Sequence, residues 1–382
     1  MASPVNVTLW SDAPTWGGGE RYLETLATGV DRSMFRVRVV LSTSKDLDAT
    51  AGRLAQAGLA VARIPAAPTM SSVWALARIA TELVAHRPTL LHANLTDPRA
   101  CNAVLAIAAK LGIRRIVTTE HLPDSPFDHK PTPWRHQAAR AATARAIALT
   151  EAGRKALIAQ GMTPAAVRVV ANGLADPGAP SDGARRTARA ALGVAEGTPM
   201  VGWVGRLEPQ KDPDLLLDVA KLVSMMAPAA RLVVVGDGSE TPRLRKVAHD
   251  MGLDAAITWL GWRKDAASLL SGMDALLLPS KYEGMPMVVI EAMAVGLPVV
   301  ARRIPGLDEL VDDGATGWLV KTPPDAPRAT IAALLAAAVC KVLRDRPSAE
   351  AMKIAARRRF LERFTNAHML AATQAVWTEL LG

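Results

Sequence analysis

Two carboxylates stand eight positions apart in an otherwise apolar stretch, KYEGMPMVVIEAMAVGLPVV, at residues 281–300. The pattern predicts a strand that ends near Ser280 and a helix that ends at Gly296. Side chains eight positions apart on one helix differ by about 80° around its axis, so Glu283 and Glu291 are assigned to two different sites. Glu283 is placed in the loop before the helix, and Glu291 inside it among apolar neighbours. A buried carboxylate requires a partner, and a ligand hydroxyl is one candidate.

Cations and glycines follow other predicted strands. In VGWVGRLEPQKD, Arg206 and Lys211 come after a buried strand, where two cations suit a diphosphate. In SDAPTWGGGERYLETL, the glycines at 17–19 precede a helix, so the backbone can approach a ligand and free N–H groups can meet an anion. Solvated loop charges and a plain flexible turn are the alternatives for these two segments.

Two further strand ends carry weaker signals. The segment VVVGDGSE includes Gly236 but does not match the GxGxxG fingerprint, which disfavours a nicotinamide cofactor. The segment RIVTTEHLPD places His121 at a strand end, with Glu120 and Asp124 close by. A lone histidine is more often structural than catalytic, but ligands bind beyond strand ends in such folds. Both interpretations of His121 therefore stay open.

The elements that would position these residues alternate along the whole chain. Apolar runs typical of parallel strands are separated by amphipathic stretches typical of helices, which predicts an α/β fold. A loose stretch rich in Gly, Pro, Asp and Ala, from Ala171 to about Thr198, predicts an interdomain linker. The predicted strands are residues 5–10, 36–42, 59–65, 90–94, 115–121, 146–150 and 167–172 in the first half, then MVGWVGR, RLVVVGDG, ITWLGW, ALLLPS, LPVVAR and GWLV.

Length and composition set the domain count and the compartment. A chain of 382 residues exceeds what one core usually supports. We predict an N-terminal domain at 1–178, a C-terminal domain at 179–355 and a helix at 356–382 that packs toward the first. The two cysteines have no metal-ligand spacing, and neither a leader pattern nor an apolar run of about 20 residues is present. These features favour a cytoplasmic protein.

The net charge is +9, and most of the excess lies in the first half. A basic half can face nucleic acid, an anionic membrane surface or a phosphorylated substrate, and a solubilising surface is the plain alternative.

Seven segments in order resemble the family 4 retaining glycosyltransferases (group 1) of the GT-B fold. They are GGGE after the first strand, TTEHLPD, VVANGLAD, GWVGRLEPQK, VVVGDGSE, PSKYEGMPMVVIEAMAVGLPVV and GATGWLV. The resemblance implies two Rossmann-like domains that face each other across a deep cleft. It also implies that the C-terminal domain holds most of a nucleotide-sugar donor, and that the N-terminal domain holds most of an acceptor.

The resemblance also implies a role for each matching residue. Arg206 and Lys211 would bind the diphosphate, Glu291 the ribose, and Glu283 would lie beside the transferred sugar, which His121 would contact from the other domain. Glu283, His121, Arg206 and Lys211 are therefore the predicted catalytic residues. The other predicted donor-binding residues are Gly18, Gly19, Gly205, Gly236, Trp262 (in the loop expected to hold the base), Gly284, Met285, Pro286 and Met287.

Two positions depart from the family pattern. Asp212 stands where Gly commonly follows the Lys, at the loop position directly after Lys211. The residues MPM follow Gly284 where an aromatic-Gly pair is frequent. Because Pro286 has no N–H, fewer backbone contacts to phosphate are expected there.

The expected reaction is transfer of a hexose-type sugar with retention of configuration, with UDP slightly favoured over GDP as the nucleotide. Cations and a helix N-terminus can meet the charge of the leaving phosphate, so no metal or other cofactor is expected. A lipid-linked or surface-glycan precursor, as in lipopolysaccharide or exopolysaccharide synthesis, is the expected acceptor, and a small molecule is an option. The alternatives are a sugar-nucleotide epimerase, a glycogen-synthase-like polymerase and a non-catalytic nucleotide-sugar binding protein.

A basic segment within the first half gives the charge a more specific interpretation. The residues PTPWRHQAARAATARA could form an amphipathic helix with Trp134 near its start and Arg135 and Arg140 on the acceptor or membrane side. A lipid-linked phosphate or an anionic lipid surface would explain such a helix. A peripheral position on the cytosolic face of the inner membrane is therefore a further hypothesis, and no nucleic-acid partner is expected.

Overall fold

A computed structural model of the chain describes residues 3–66, 72–123, 140–179, 181–323 and 325–382. The chain divides into two compact units. Unit 1 comprises residues 1–173 and 366–382, and unit 2 comprises residues 174–365. The first division lies about five residues before the boundary predicted after 178, and the second lies about ten residues beyond the one predicted after 355.

Unit 1 is built on a seven-stranded parallel sheet. The strand order is β3-β2-β1-β4-β5-β6-β7. Strands β2 and β3 are added on one side of β1, and strands β4 to β7 are added on its other side. The strand order therefore reverses between β1 and β4. The strands are β1 (Val5–Ser11), β2 (Phe35–Ser42), β3 (Ala60–Ile64), β4 (Leu90–Leu95), β5 (Ile116–Glu120), β6 (Arg145–Ala148) and β7 (Val167–Val169).

Helices pack on both faces of this sheet. Successive strand residues point to opposite faces, and Leu9 lies in one apolar cluster while Trp10 lies in the other. The last helix of the chain completes the first cluster, where Trp377 meets the edge of Phe35 at a ring distance of 5.1 Å. The helices of unit 1 include α1 (Gly18–Gly29), α2 (Asp48–Gln56), α3 (Val73–Ala85), α4 (Asn102–Lys110), α5 (Glu151–Ala159) and α13 (Asn366–Leu381).

Unit 2 repeats the architecture with six parallel strands in the order β10-β9-β8-β11-β12-β13. The strand order reverses between β8 and β11, which pair directly with Leu276 opposite Gly202. Ligands of open α/β sheets bind beyond the carboxyl ends of strands at such a reversal. The strands are β8 (Met200–Val204), β9 (Arg231–Val235), β10 (Ile257–Gly261), β11 (Ala275–Leu278), β12 (Val299–Arg302) and β13 (Gly317–Val320).

The core of unit 2 is formed largely by Leu, Val and Ala around the buried Trp203. One helix of unit 2, α10, is buried along most of its length, from Val288 to Ala294. The helices are α6 (Asp182–Ala191), α7 (Pro213–Met226), α8 (Thr241–Asp250), α9 (Ala266–Leu269), α10 (Met287–Ala294), α11 (Arg328–Arg344) and α12 (Arg346–Arg363).

The predicted strands all occur, with ends that differ by a few residues. The C-terminal segment differs from the single helix expected at 356–382, because it forms α12 and α13 with a break at Phe364 and Thr365. Only α13 belongs to unit 1. Among the described helices, none is long and apolar enough to cross a membrane.

Candidate functional site

The loops predicted to bind the donor follow four neighbouring strands of unit 2. In the order β10-β9-β8-β11, they begin at Trp262, Gly236, Gly205 and Pro279 respectively. Because the strands are parallel, all four loops leave the same edge of the sheet. The structure therefore brings these predicted positions to one edge, on both sides of the point where the strand order reverses.

An ion pair joins the loops on the two sides of this reversal. Lys211, after β8, places Nζ 2.6 Å from Oε1 of Glu283, after β11. Both side chains are largely buried, with 16% and 6% of their surfaces exposed. An ammonium has three N–H donors, so the contact with Glu283 leaves Lys211 two donors for other acceptors. Two residues assigned to different parts of the donor thus lie in direct contact.

Gln210, which is not among the predicted site residues, supports the same pair. Its Nε2 donates to the carbonyl oxygen of Tyr282 at 3.1 Å and lies 3.5 Å from Oε2 of Glu283. The N–H of Lys281 in turn donates to the carbonyl oxygen of Gln210 at 3.0 Å. The loops are therefore joined by backbone and side-chain contacts. Because Gln210 directly precedes the predicted Lys211, its position in the sequence could have identified it as a site residue.

Glycines allow the loops after β8 and β9 to pack closely. Gly236 has a φ of +137°, and a Cβ there would lie 1.8 Å from the carbonyl oxygen of Gly205. A Cβ on Gly238 would lie 2.4 Å from the carbonyl oxygen of Leu207. Gly236 therefore has a structural requirement for glycine in this loop, whatever contact it makes with a ligand.

Asp212 adopts the left-handed conformation, with φ 50° and ψ 57°. Glycine enters this region without steric cost, which explains why the family commonly has glycine here. The Asp212 side chain is largely buried, and burial raises its pKa, with Lys281 at 3.8 Å acting in the opposite direction. Asp212 therefore adopts a backbone conformation that glycine enters at lower cost.

Helix α10 begins directly after the loop that contains Glu283. Pro286 is its N-cap and Met287 its first residue. Gly284 and Met285 lie in the approach to the helix, and Met285 is buried. Glu291, one turn inside, is 8% exposed and is surrounded by buried apolar residues. The predicted separation of the two carboxylates into a loop site and a helix site agrees with this placement.

Arg206 and Trp262 are the exposed members of the predicted donor set in unit 2. Arg206 follows Gly205 at the end of β8 and is exposed. Trp262 follows β10 and is 70% exposed. The neighbouring Arg263 forms an ion pair with Asp265 at 2.7 Å, which leaves the Trp262 indole as the apolar surface of that loop.

In unit 1 the predicted residues Gly18, Gly19 and His121 also lie at a reversal of strand order. The glycines begin α1 directly after the loop that follows β1, and His121 follows β5. Asn94 near the end of β4 lies between them. Its Nδ2 donates to the carbonyl oxygen of Gly19 at 3.1 Å, and its Oδ1 lies 2.7 Å from Nε2 of His121. Asn94 ends a predicted strand, so a strand-end search could have found it.

A buried hydrogen-bond network next to His121 joins Tyr22, Thr119, His92 and Trp377. The Tyr22 ring meets the His121 ring edge-on at 5.2 Å, and its hydroxyl contacts Oγ1 of Thr119 at 3.1 Å. The same Oγ1 contacts Nε2 of His92 at 2.8 Å, while Nε1 of Trp377 donates to Nδ1 of His92 at 3.0 Å. Burial lowers the pKa of His121 to about 4 and that of His92 to about 3. Both rings are therefore neutral at physiological pH.

Glu20 is a second residue in unit 1 that the sequence analysis left without a role. It lies two residues after Gly18 and is buried, and Ser11 donates to its Oε1 at 3.2 Å. Burial raises its pKa to about 7. The GGGE segment therefore contains a carboxyl group that titrates near neutral pH, with the Asp12 carboxyl as an additional influence in the same direction.

The predicted acceptor or membrane residues divide between described and undescribed parts of the chain. Trp134 and Arg135, with most of the proposed amphipathic helix, lie outside the described residues. Arg140 is described and is near the buried Glu120, with Nη2 to Oε2 at 3.7 Å. Burial raises the pKa of Glu120, while Arg140 acts to lower it. Within the described ranges, no group of three or more His, Cys, Asp and Glu residues is arranged to hold a metal ion.

Two family models match the chain in succession. Glycosyltransferase Family 4 matches residues 16–175, and Glycosyl transferases group 1 matches residues 184–359. A curated relative, D-inositol 3-phosphate glycosyltransferase of Mycobacterium tuberculosis (strain ATCC 25618 / H37Rv), is 37% identical over 175 residues, which are 44% of this chain and 35% of that protein. The match thus spans about a third of the relative's length.

Solved structures resemble the chain over nearly its full length. Anabaena Alr3699/HepE, in complex with UDP and glucose, has a TM-score of 0.82 at 23% identity, covering 98% of this chain and 99% of that one. Sucrose-phosphate synthase (tll1590) from Thermosynechococcus elongatus has a TM-score of 0.79 at 20% identity, covering 99% of each chain. These likenesses concern the fold. With the two family models covering most of its length, the chain belongs to the family 4 (group 1) glycosyltransferases of the GT-B fold.

Proposed function

We propose that the protein transfers a hexose-type sugar from a nucleoside-diphosphate sugar to a hydroxyl acceptor, with UDP favoured over GDP. The observation that carries the proposal is the Lys211–Glu283 pair at the reversal of strand order in unit 2, in a chain of this family. The complexes of Alr3699/HepE with UDP and UDP-glucose support the choice of nucleotide.

Transfer of the sugar is favoured by positive groups near the leaving phosphate. Cleavage of the bond between the sugar and the diphosphate builds negative charge on the phosphate and positive charge on the anomeric carbon. Lys211 keeps two N–H donors besides the one directed at Glu283, and the exposed Arg206 can form a paired contact with phosphate oxygens. The backbone N–H groups of Gly284 and Met287, at and before the start of α10, would add neutral donors.

Glu283 would act on the sugar side of the same bond. Its carboxylate is held by Lys211 at 2.6 Å and approached by Gln210 at 3.5 Å, so its position is fixed before a ligand binds. A preorganised charge stabilises a transition state without the cost of reorganisation. Glu291 would hold the ribose hydroxyls, Trp262 the base, and His121 of unit 1 a hydroxyl of the sugar.

The remaining details of the reaction belong to this proposal as well. We propose that the reaction proceeds without a metal, since cations and backbone N–H groups can neutralise the diphosphate, and with retention of configuration as the resemblance implies. The acceptor is proposed to be a lipid-linked or surface-glycan precursor used at the cytosolic face of a membrane. The name of the mycobacterial relative adds a phosphorylated polyol as a specific acceptor to test.

Release of the nucleotide tests the reaction. The wild-type protein is incubated with UDP-hexoses and GDP-hexoses, with and without candidate acceptors, in excess EDTA. Acceptor-dependent release of UDP, together with a glycosylated product, supports the proposal. Binding without turnover for every pair would contradict it, and a requirement for added metal would contradict the metal-independent mechanism. Conversion of the donor sugar without release of the nucleotide would instead indicate an epimerase.

A further inference from the structure

Asn94 is placed to control the chemistry of His121. It lies near the end of β4 and is 2% exposed. Its amide group contacts two neighbours, the carbonyl oxygen of Gly19 at 3.1 Å and Nε2 of His121 at 2.7 Å. The two contacts connect the glycine loop after β1 with the residue that follows β5. None of the motifs quoted from the sequence includes Asn94.

The two contacts together determine which nitrogen of His121 carries the proton. The carbonyl oxygen of Gly19 can only accept a hydrogen bond, so the Asn94 atom that faces it must be the amide NH₂ group. The oxygen of the amide then faces His121, and because this oxygen can only accept, Nε2 of His121 must donate. A neutral imidazole has one N–H. The ring therefore carries its proton on Nε2 and has an acceptor lone pair on Nδ1.

The surroundings also restrict rotation of the His121 ring. Tyr22 meets the ring edge-on, with ring centroids 5.2 Å apart and planes at 76°. Gly19 lies close to the same ring, since a Cβ built there would be only 3.4 Å from Cδ2 of His121. Turning the ring by 180° would place Cε1 in place of Nε2 against the Asn94 oxygen and lose the hydrogen bond. The contacts thus favour one orientation and one tautomer.

We infer that Asn94 is a positioning residue that holds His121 in the neutral Nε2–H tautomer, so that Nδ1 accepts a hydrogen bond from a hydroxyl of the donor sugar. The role in sugar binding rests on the proposed function, whereas the assignment of the tautomer rests on the described contacts alone. Low pKa values for both buried histidines of this region agree with a neutral ring. His121 would then recognise a hydroxyl as a donor and disfavour a ligand group that can only accept.

Histidine side-chain ¹⁵N–¹H spectra at pH 7 test the tautomer directly. The chain has seven histidines, and the His121→Gln variant identifies the signal of interest. The wild type should show the Nε2–H tautomer, and Asn94→Leu, which removes both amide contacts, should show a mixture of tautomers. An Nδ1–H tautomer in the wild type, or an unchanged signal in Asn94→Leu, would overturn the inference.

Asn94→Asp provides a second variant of nearly the same shape, in case the leucine variant does not fold. A carboxylate beside Nε2 favours the imidazolium, so the pKa of His121 should rise above its wild-type value of about 4. An unmoved pKa in Asn94→Asp would show that the amide does not govern the ring, which overturns the inference.

Calorimetric titration with UDP-glucose and with UDP tests the sugar contact. For Asn94→Leu we expect about tenfold weaker binding of UDP-glucose, the effect of about one hydrogen bond, and unchanged binding of UDP. Equal losses for both ligands, or no loss for either, would contradict the sugar contact. A wild-type protein that shows the expected tautomer but binds neither ligand would count against the proposed function and leave the role of Asn94 in fixing the tautomer supported.

Discussion

The two units share one topology but differ in what lies where their strand order reverses. In unit 2 an ion pair, Lys211 with Glu283, joins the loops after β8 and β11. In unit 1 a neutral amide, Asn94, joins the loop after β1 to His121 after β5. The contact that joins the two sides is thus charged in unit 2 and neutral in unit 1.

The difference fits two kinds of ligand. A partly buried lysine with further N–H donors favours an anion. The electrostatic attraction between the two is strong where water is restricted. Neutral imidazole and amide groups hydrogen-bond to hydroxyls without requiring charge, and a site built for them rejects ligands that leave them unpaired. We therefore propose that unit 2 binds the diphosphate and that His121 of unit 1 recognises a hydroxyl of the sugar.

The largest effect is expected from Glu283→Gln. The substitution removes the carboxylate charge but keeps the side-chain shape, and loss of a preorganised charge typically costs about 10²–10³ in turnover. Affinity for UDP should stay the same or increase, because Lys211 loses its counter-charge. Turnover is measured as UDP release and affinity by calorimetry. Glu350→Gln, which alters an exposed carboxylate 3.1 Å from Lys353, is the matched control, and unchanged turnover in Glu283→Gln would contradict the assignment.

A large effect on stability is expected from Gly236→Ala. The added Cβ would lie 1.8 Å from a backbone oxygen, at a φ of +137°, and we expect a loss of about 3 kcal/mol or more in the free energy of unfolding of unit 2. Gly261→Ala, at φ +66° with nothing within 4 Å, should cost about 1 kcal/mol.

Gly19→Ala gives the corresponding test in unit 1. Its nearest contact would be a side-chain methyl, Cγ2 of Thr96 at 2.8 Å, which can move, so the loss should be smaller than for Gly236→Ala. Hydrogen exchange in each unit measures these free energies separately. Similar losses for Gly236→Ala and Gly261→Ala would contradict the packing argument.

A pH-dependent effect is expected from the neutral histidine in unit 1. Burial lowers the pKa of His92 from 6.5 to about 3. Below pH 6.5 the unfolded chain binds a proton that the folded chain does not, so this group's contribution to stability falls as pH decreases toward 3. The slope is about 1.4 kcal/mol per pH unit. Relative to wild type, the stability deficit of His92→Gln should therefore shrink between pH 6.5 and 4.

Comparing the stability of the wild type with that of His92→Gln at each pH cancels the contributions of the buried carboxyl groups of unit 1, which both proteins share. Glu20, whose pKa is raised to about 7, has the opposite dependence, because its contribution is lost as pH rises through that value. Hydrogen exchange in β1 and β4 provides the measurement. A deficit that does not change with pH would show that His92 is not held neutral by folding.

The smallest effect is expected from Asp212→Gly. Glycine adopts φ 50° and ψ 57° without the cost that other residues incur, while the weak contact with Lys281 at 3.8 Å is lost. Stability should rise by at most about 1 kcal/mol, and turnover should be retained. Asp212→Ala, which lacks both the side-chain contact and the glycine backbone, should lower stability by about 1 kcal/mol. A stability loss on Asp212→Gly equal to that on Asp212→Ala would contradict the backbone explanation.

The periodicity of the sequence predicted the α/β architecture and its strands, because buried parallel strands are short apolar runs between turn residues. The ends were less certain, and a continuous helical pattern did not reveal the break at Phe364 and Thr365. That break depends on tertiary contacts. Leu174 donates its N–H to the carbonyl oxygen of Phe364 at 2.9 Å, a contact between residues far apart in the sequence.

The candidate site was predicted to a similar extent. Residues in recognisable motifs, such as Lys211 and Glu283, were placed at strand ends from the sequence, but their direct contact was not. Asn94, Gln210 and Glu20 had no assigned role, since each gains its importance from a neighbour on another strand or loop. Side-chain pairing across a sheet edge follows from strand order, which the sequence alone does not specify.

Titration of the protein with UDP and GDP tests the central claim, that the Lys211 side of unit 2 binds the donor diphosphate. The wild type is compared with Lys211→Met and with Lys246→Met, an exposed lysine paired with Asp250 at 2.8 Å. The account predicts binding of UDP by the wild type and Lys246→Met with equal affinity, and at least about tenfold weaker binding by Lys211→Met. Equal affinity in Lys211→Met and the wild type, or no binding of either nucleotide by the wild type, would contradict it.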